Sequence, residues 1–138
     1  MNSTAHVPSL AATDPTASPR RSLILAGGGM RVAYQAGVLK ALQQAGLTFF
    51  HGDGTSGGIM NLAMLLSGLT PDEMCRRWRT LDVKDFTSLL PLRNYLKGLR
   101  TPALGDADGI VRKVFPHLGI DPARIRAARG MAGTFNVC

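Results

Sequence analysis

The sequence predicts an α/β domain with a mainly parallel central sheet. Two glycine-rich segments, Gly27-Gly28-Gly29 and Gly54-Thr55-Ser56-Gly57-Gly58, each lie between a short strand-like segment and an apolar or amphipathic segment of helical length. This is the order of strand, tight turn and helix that builds βα units. Because helices alternate with the strands, we expect the strands to run parallel and to be joined by crossover connections.

Length and composition favour one globular domain. The chain has 138 residues, which is enough for one hydrophobic core. Hydrophobic residues make up 45% and charged residues 18%, which excludes the disordered and collagen-like classes. The longest apolar stretch, residues 59–69, is interrupted by polar residues and is shorter than the roughly 20 residues that cross a bilayer. We therefore predict no transmembrane helix.

Residues 1–20 are predicted to be a disordered leader, and residues 21–138 to form the folded domain. The leader is rich in Ser, Thr, Ala and Pro and lacks the apolar segment of a secretory signal. This composition favours a cytoplasmic location. Cys75 and Cys138 have neither a paired nor a metal-ligand spacing, so we expect no disulfide, no metal site and no cofactor.

The charge of the chain favours an anionic partner. The formal net charge is +7 and the sequence pI is about 10.3. No aromatic stacking platform or nucleic-acid motif accompanies the basic residues, so we predict no nucleic-acid binding and regard peripheral contact with an anionic membrane surface as compatible with the charge. The excess of arginine lies in the second half of the chain, at Arg76, Arg77, Arg79, Arg124, Arg126 and Arg129.

The first elements follow from apolar runs and glycine stops. Residues 22–26 form a mainly apolar run, as a buried parallel strand does. Residues 31–45 place apolar and small residues at three- and four-residue spacings and end at Gly46, which predicts a helix. A second strand is predicted to start at Leu47–Phe50 and to continue to the serine turn.

The next helices carry clear end signals. Residues 59–67 are almost wholly apolar and predict a buried helix that Gly68 ends. Thr70, Pro71 and Glu73 form a capping box, which predicts a helix through about Thr80. The region after it is mixed in character.

The last third of the chain is less regular. Residues 82–100 are predicted to form a connecting segment or lid that Pro91 breaks. Residues 110–118 have helical spacing, and Asp121-Pro122 predicts a short helix that ends near Gly130. A further strand is predicted to start at residues 134–138. An α/β sheet needs more strands than these, so we expect the fold to be incomplete at the C-terminus.

The two glycine-rich segments carry the predicted chemistry. Ser56 lies in a nucleophile-elbow pattern, in which flanking glycines avoid collisions of a Cβ with the adjoining strand and helix. Its hydroxyl would project into a cleft. Successive N–H groups of Gly27, Gly28 and Gly29 can converge on an anion at the start of the following helix. One loop would supply a nucleophile and the other an oxyanion hole.

Through Leu25 to Arg31 and Gly54-Thr55-Ser56-Gly57-Gly58, the chain resembles the patatin-like phospholipases over about residues 22–138. The resemblance implies a three-layer α/β/α fold in which a serine and a single aspartate, without histidine, cleave acyl esters of lipids. Ser56 matches the nucleophile. The oxyanion loop matches Gly27, Gly28, Gly29 and Arg31, although the family usually has a glycine where this chain has Val32.

The resemblance also implies a downstream aspartate that this sequence lacks. In the family it lies in an Asp-Gly-Gly or Asp-Gly-Ala motif, and neither Asp53, inside the elbow, nor Asp108, before a helical stretch, fits that position. We therefore expect a fragment that is nearly inactive by itself. The order Ser56, Asp108, His117 matches an α/β-hydrolase triad only superficially, because too few strands surround it.

Two other functions remain open from the sequence. One is a non-catalytic module that binds an anion or a lipid head group, in which Ser56 is only a turn residue. The other is an acyl-carrier transacylase, whose family has a similar elbow but usually a histidine where this chain has Thr55.

Several side chains near the two loops have ordinary structural interpretations. His51 is expected to be hydrogen-bonded near the elbow. Arg31 either braces the glycine loop or holds an anion beside it. Met60, Met64 and Leu66 are expected to pack in the core rather than to line an acyl pocket.

Overall fold

The computed structural model describes residues 20–86, 88–89, 105–106 and 109–136. The predicted leader, apart from Arg20, lies outside these residues. So do Asp108, Cys138 and the part of the predicted connecting segment around Pro91.

The fold is α/β with a parallel sheet, as the sequence predicts. The sheet contains β1 (Ser22–Leu25), β2 (His51–Thr55) and β5 (Ala132–Asn136) in the order β1-β2-β5, and both pairs of neighbours are parallel. A separate antiparallel pair joins β3 (Ser88–Leu89) to β4 (Gly105–Asp106). Because β2 is the central strand, the ends of β1 and β5 lie on either side of the serine turn that follows it.

Helices occupy most of the remaining described chain. The α-helices are α1 (Ala33–Gln44), α2 (Gly58–Leu66), α3 (Pro71–Thr80), α4 (Phe115–Leu118) and α5 (Pro122–Ala127). Two 3-10 helices and one π-type segment, which leads into α4, cover Gly29–Val32, Val83–Phe86 and Ile110–Val114. None of the helices in the described ranges is long and apolar enough to cross a bilayer.

Helix α2 is the centre of the core and lies on one face of the parallel sheet. Its Leu62 and Met64 side chains are fully buried. A Cβ at Gly52 or Gly133 would lie 2.5 Å from a methyl group of Leu62 or Leu66, respectively. The strands therefore carry glycine where α2 approaches them, and this close packing fixes the position of the helix over the sheet.

A second layer of helices covers the other side of α2. Ala36 and Leu39 of α1, Met74 of α3 and Leu118 of α4 are buried in the same apolar cluster as α2. On the opposite face of the sheet, the described residues form no layer that covers the side chains of the strands. Ile24, which lies on that face, is 78% exposed. The core thus lies on the α2 side of the sheet.

The capping box of α3 is present as predicted. The backbone N–H of Glu73 donates to the Thr70 hydroxyl (3.3 Å), and the backbone N–H of Thr70 donates to the Glu73 carboxylate (3.0 Å). Hydrogen bonds from the backbone and side chain of Thr70 lower the pKa of Glu73 below its ordinary value. The capping box therefore uses an ionised glutamate at neutral pH.

The second strand begins later than predicted, at His51. Leu47–Phe50 is a connection, because α1 ends in a Schellman motif that uses its first residue. Gly46 has a left-handed φ of 71°, and the Leu47 N–H donates to the Leu42 carbonyl (3.0 Å). Of the predicted strand start, only Leu47 closes the helix, because the Phe50 N–H donates to the Arg21 carbonyl (3.1 Å) and the Phe50 carbonyl accepts from Ala132 (2.9 Å).

The last elements also differ from the prediction in their bounds. Helix α5 ends at Ala127 and not near Gly130, because the next residue has an extended ψ of 139°. Strand β5 begins at Ala132 and not at Thr134, since the Ala132 N–H donates to the Phe50 carbonyl (2.9 Å) just before β2. Pairing with β2 sets this start, and the local sequence does not reveal it.

A pair of glycine variants tests the packing of α2 on the sheet. A Cβ at Gly58 would collide with the backbone carbonyl of Leu25, which cannot move aside as a side-chain tip can. We expect Gly58→Ala to lower the free energy of unfolding by about 3 kcal/mol or more. Gly37 of α1 is the matched control, because a Cβ there meets nothing within 4 Å. Gly37→Ala should be neutral or stabilising by up to about 1 kcal/mol. Urea unfolding measures both, and equal stability of the two variants would contradict this packing.

Candidate active site

Ser56 lies at the tight turn between β2 and α2. It is the one non-glycine residue of the described chain with a left-handed φ, at 51°. The turn is held by the Ser56 N–H, which donates to the Asn136 carbonyl (3.4 Å), and by the Ile59 N–H, which donates to the Ser56 carbonyl (3.0 Å). Such a conformation costs free energy and persists only where the surroundings enforce it. Ser56 itself is exposed.

Steric contacts explain why glycine occupies each of the neighbouring positions of the elbow. A Cβ at Gly54 would lie 3.0 Å from the Ile59 Cα, and one at Gly57 would lie 2.9 Å from a Val32 methyl group. Gly58 faces the end of β1, as described above. Thr55, the last residue of β2, is half-buried. The backbones therefore approach one another more closely at this junction than larger residues would permit.

The first glycine loop runs directly beside Ser56. A Cβ at Gly27 would lie 2.9 Å from the Ser56 Cβ and 3.5 Å from its Oγ. The reason is topological, because β1 and β2 are adjacent and parallel, with Leu25 opposite Gly54, so their carboxyl ends meet. The structure thus brings together the two loops that the sequence places in one cleft.

Backbone N–H groups at this junction are available as donors. Among the residues described, those of Gly27 and Gly28 donate to no backbone acceptor. Gly57 is the N-cap of α2, and the N–H groups of Gly57 and Gly58 likewise donate to no backbone acceptor among the described residues, whereas those of Ile59 and Met60 donate to the Ser56 and Gly57 carbonyls. The dipole of α2 adds a partial positive charge at the same place. Such an arrangement is suited to an oxyanion.

Gly29 and Arg31 complete the loop. Gly29 has a left-handed φ of 55°, and the Arg31 N–H donates to the Gly28 carbonyl (3.1 Å). The Arg31 side chain is exposed and makes no ion pair within the described part of the chain. Its backbone therefore braces the loop, while its guanidinium group is free to meet an anion.

An apolar cavity of about 430 Å³ opens at Ser56. It is lined by Met30, Ser56, Ile59, Met60, Phe86, Ile110 and Phe115, together with backbone at Gly29 and Gly57. Met64 and Leu66 are buried in the core as predicted, and Met60 packs against that core while also lining the cavity. The sequence did not place Phe86, Ile110 and Phe115 in this cavity, because apolar spacing indicates that a side chain is buried but not which residues it packs against.

No described side chain acts as a base at Ser56. Among the described residues, neither a carboxylate nor an imidazole forms a hydrogen bond with its hydroxyl. Asp53 accepts a hydrogen bond from Asn136 (3.2 Å) on the open face of the sheet. His51 is hydrogen-bonded to Thr134 (2.9 Å) on that same face, as predicted, but it begins β2 and lies at the far end of that strand from the elbow.

His117 is engaged in a different part of the fold. Its Nε2 lies 3.1 Å from the Thr80 hydroxyl, and its carbonyl accepts a hydrogen bond from Arg77 (2.7 Å). These contacts join α4 to α3 and do not involve Ser56. Nor do the described ranges contain a cluster of His, Cys, Asp and Glu that would hold a metal ion.

A buried amide network ties the elbow helix to the glycine loop. Asn61 of α2 is fully buried, and its Nδ2 donates to the Val32 carbonyl (2.8 Å) and to the Gln35 side chain (2.9 Å). Gln35 in turn donates to the Ala26 carbonyl (2.7 Å), immediately before the glycines. The Trp78 indole N–H donates to the Asn61 Oδ1 (2.8 Å). The sequence did not predict this network, because an asparagine in an apolar helix does not indicate which residues it will hydrogen-bond.

One family comparison matches most of the chain. The model of the family described as patatin-like phospholipase matches residues 23–136, which include both glycine-rich loops and nearly all of the parallel sheet. No curated protein and no solved structure matches the chain.

The buried amide network gives a stability test. Asn61→Leu leaves the Trp78 indole N–H without a partner in the core and removes one of the donors to the Val32 carbonyl, so we expect the free energy of unfolding to fall by about 3 kcal/mol. Trp78→Phe removes the indole donor together with part of a buried ring. In the double variant the loss of unfolding free energy should be smaller than the sum of the two single losses by about 1 kcal/mol or more. With both side chains replaced, neither Asn61 nor Trp78 remains to be left unpaired by the other's loss. Strictly additive unfolding free energies would show that the bond between Asn61 and Trp78 contributes nothing.

Proposed function

The chain belongs to the patatin-like phospholipase family, and we propose that it is a serine acyl hydrolase that uses Ser56 to cleave acyl esters of lipids. The family supplies the coarse class, a hydrolase acting on lipids. The assignment of Ser56 rests on one observation, the contact of the Gly27 backbone with Ser56, which puts free amides beside an exposed hydroxyl.

The proposed reaction begins with attack of the Ser56 Oγ on the ester carbonyl carbon. The carbonyl oxygen becomes an oxyanion, which N–H groups of Gly27 to Gly29 and of Gly57 would stabilise. Loss of one such donor typically costs about 2.7 to 4 kcal/mol of transition-state stabilisation. Collapse of the tetrahedral intermediate breaks the bond to the alcohol, which takes up the proton removed from Ser56, and attack of water on the acyl-enzyme then releases the fatty acid and restores the Ser56 hydroxyl.

In this proposal the cavity at Ser56 holds the acyl chain. Its lining is apolar, and its volume of about 430 Å³ lies in the range of ligand pockets. Burial of the acyl chain in this cavity would align the ester carbonyl with Ser56. It would also exclude water from the reacting atoms.

A serine hydroxyl also needs a base that accepts its proton. In this proposal the base is an aspartate supplied by a segment beyond residue 138, as the likeness to the family implies, and residues 21–138 form the N-terminal part of the hydrolase domain. This agrees with the lack of a base at Ser56 in the residues that the structure describes.

One observation favours a second candidate, a module that binds an anionic lipid head group without cleaving it. The exposed Arg31 lies beside a loop with free amides, and this is a site for phosphate whether or not Ser56 reacts. The two candidates differ in the reactivity of Ser56, which can be measured.

The proposal is tested with the 138-residue chain and a version extended along its own gene. We expect the extended protein to hydrolyse a fluorogenic fatty ester, and Ser56→Ala to lower kcat by about 10³-fold or more. Ser22→Ala, at an exposed serine of β1, is the matched control and should leave kcat unchanged. The short chain should show almost no turnover.

A fluorophosphonate probe separates the two candidates. Labelling of Ser56 in the folded, extended protein supports the hydrolase. Turnover that survives Ser56→Ala would refute the assigned nucleophile. Saturable phosphate binding without any labelling or turnover would instead favour the head-group module.

A further inference from the structure

The outer side of α1 and the turn before it present an exposed apolar strip. Met30, Tyr34 and Val38 are spaced by four residues, so their side chains lie on one side of the helical segment. Tyr34 is 79% exposed, and Met30 and Val38 are 37% and 39% exposed. We call these three residues the α1 strip.

Within α1 the surroundings of the α1 strip carry little charge, whereas the exposed Arg31 lies next to Met30 in the turn before the helix. Exposed Gly37 and Ala41 lie beside it. The one charged residue of α1, Lys40, forms an ion pair with Asp72 of α3 (2.5 Å). A surface helix usually carries charged or polar side chains on its outer face, so this uncharged face indicates a partner that is itself apolar.

The α1 strip is continuous with the cavity at Ser56. Met30 belongs to both, because it lines the cavity and is also exposed. At Tyr34 the strip borders a depression of about 260 Å³ between α1 and α3, whose lining includes Trp78 and Arg79. Arg79 is exposed and has no ion-pair partner among the residues that the structure describes.

We propose that the α1 strip, with Arg79 at its edge, is the surface by which this protein docks on an anionic lipid layer. The inference rests on the proposed function for one point only, that the substrate is a lipid. A lipid layer fits better than a protein partner, because an acyl chain leaving it at Met30 would reach Ser56 without crossing water. Tyrosine suits the boundary between head groups and acyl chains, and Arg79 can meet a phosphate there.

Vesicle binding by the 138-residue chain tests the docking surface. The probes are vesicles of phosphatidylcholine alone and of phosphatidylcholine with phosphatidylserine, and co-sedimentation gives the dissociation constant. We expect the double variant Tyr34→Ser and Val38→Ser to bind about tenfold more weakly, since apolar contact is lost. Arg79→Gln should bind about fivefold more weakly, and only to vesicles that contain phosphatidylserine.

Ile24→Ser is the matched control. Ile24 is as exposed as Tyr34, but it lies on the open face of the sheet, so its replacement should leave vesicle binding unchanged. Circular dichroism verifies that each variant is folded. A wild-type chain that does not bind vesicles overturns the proposal, and so does an Ile24→Ser variant that loses as much binding as the double variant.

Sedimentation equilibrium distinguishes a protein partner. If the α1 strip joins two copies of the chain, the double variant would abolish a concentration-dependent dimer while vesicle binding persists, and this result overturns the proposal. Failure of the proposed function gives a different outcome. An extended protein without Ser56-dependent hydrolysis, whose vesicle binding still requires Tyr34 and Val38, refutes the hydrolase and supports the docking surface.

Discussion

The rest of the site depends on the contact between the carboxyl end of β1 and the first turn of α2. Gly58 lies against the Leu25 carbonyl and Gly27 against Ser56, so neither position has room for a side chain. This contact places the glycine loop beside the serine turn. It also holds Ser56 in a left-handed conformation that a serine rarely adopts. The donors and the hydroxyl are thus positioned by backbone packing, which is more rigid than side-chain packing.

The amide network around Asn61 extends this constraint into the core. It connects the helix after the serine, the carbonyl before the glycine loop and the indole of α3 through consecutive hydrogen bonds. No buried side-chain nitrogen or oxygen atom in the described ranges is left without a partner. Because a buried polar group without a partner is costly, this network favours one relative position of the two loops. An oxyanion hole needs that order before the substrate arrives, since donors that must reorganise stabilise the transition state less.

The apolar surfaces around Ser56 link the site to its substrate class. Side chains from four separated segments, including Met30, Met60, Phe86 and Phe115, converge on one cavity. The exposed strip on α1 begins at the same methionine. A lipid ester presents an apolar chain and a polar carbonyl, and the geometry offers an apolar cavity next to polar amides.

The sequence by itself determined the features that follow from local rules. Glycines at Gly27 to Gly29 and around Ser56, together with apolar runs, predicted the α/β class, the parallel strands and the meeting of the two loops. The capping box at Thr70 predicted the start of α3 because the partners of a cap are three residues apart. Tertiary structure alone decided where β5 begins, since pairing with β2 sets that bound. It also decided that Met60 lines a cavity while Met64 is buried in the core, and that Asn61 bonds Trp78. An apolar or amide side chain signals that it is buried, but its neighbours come from distant segments whose arrangement only the folded chain fixes.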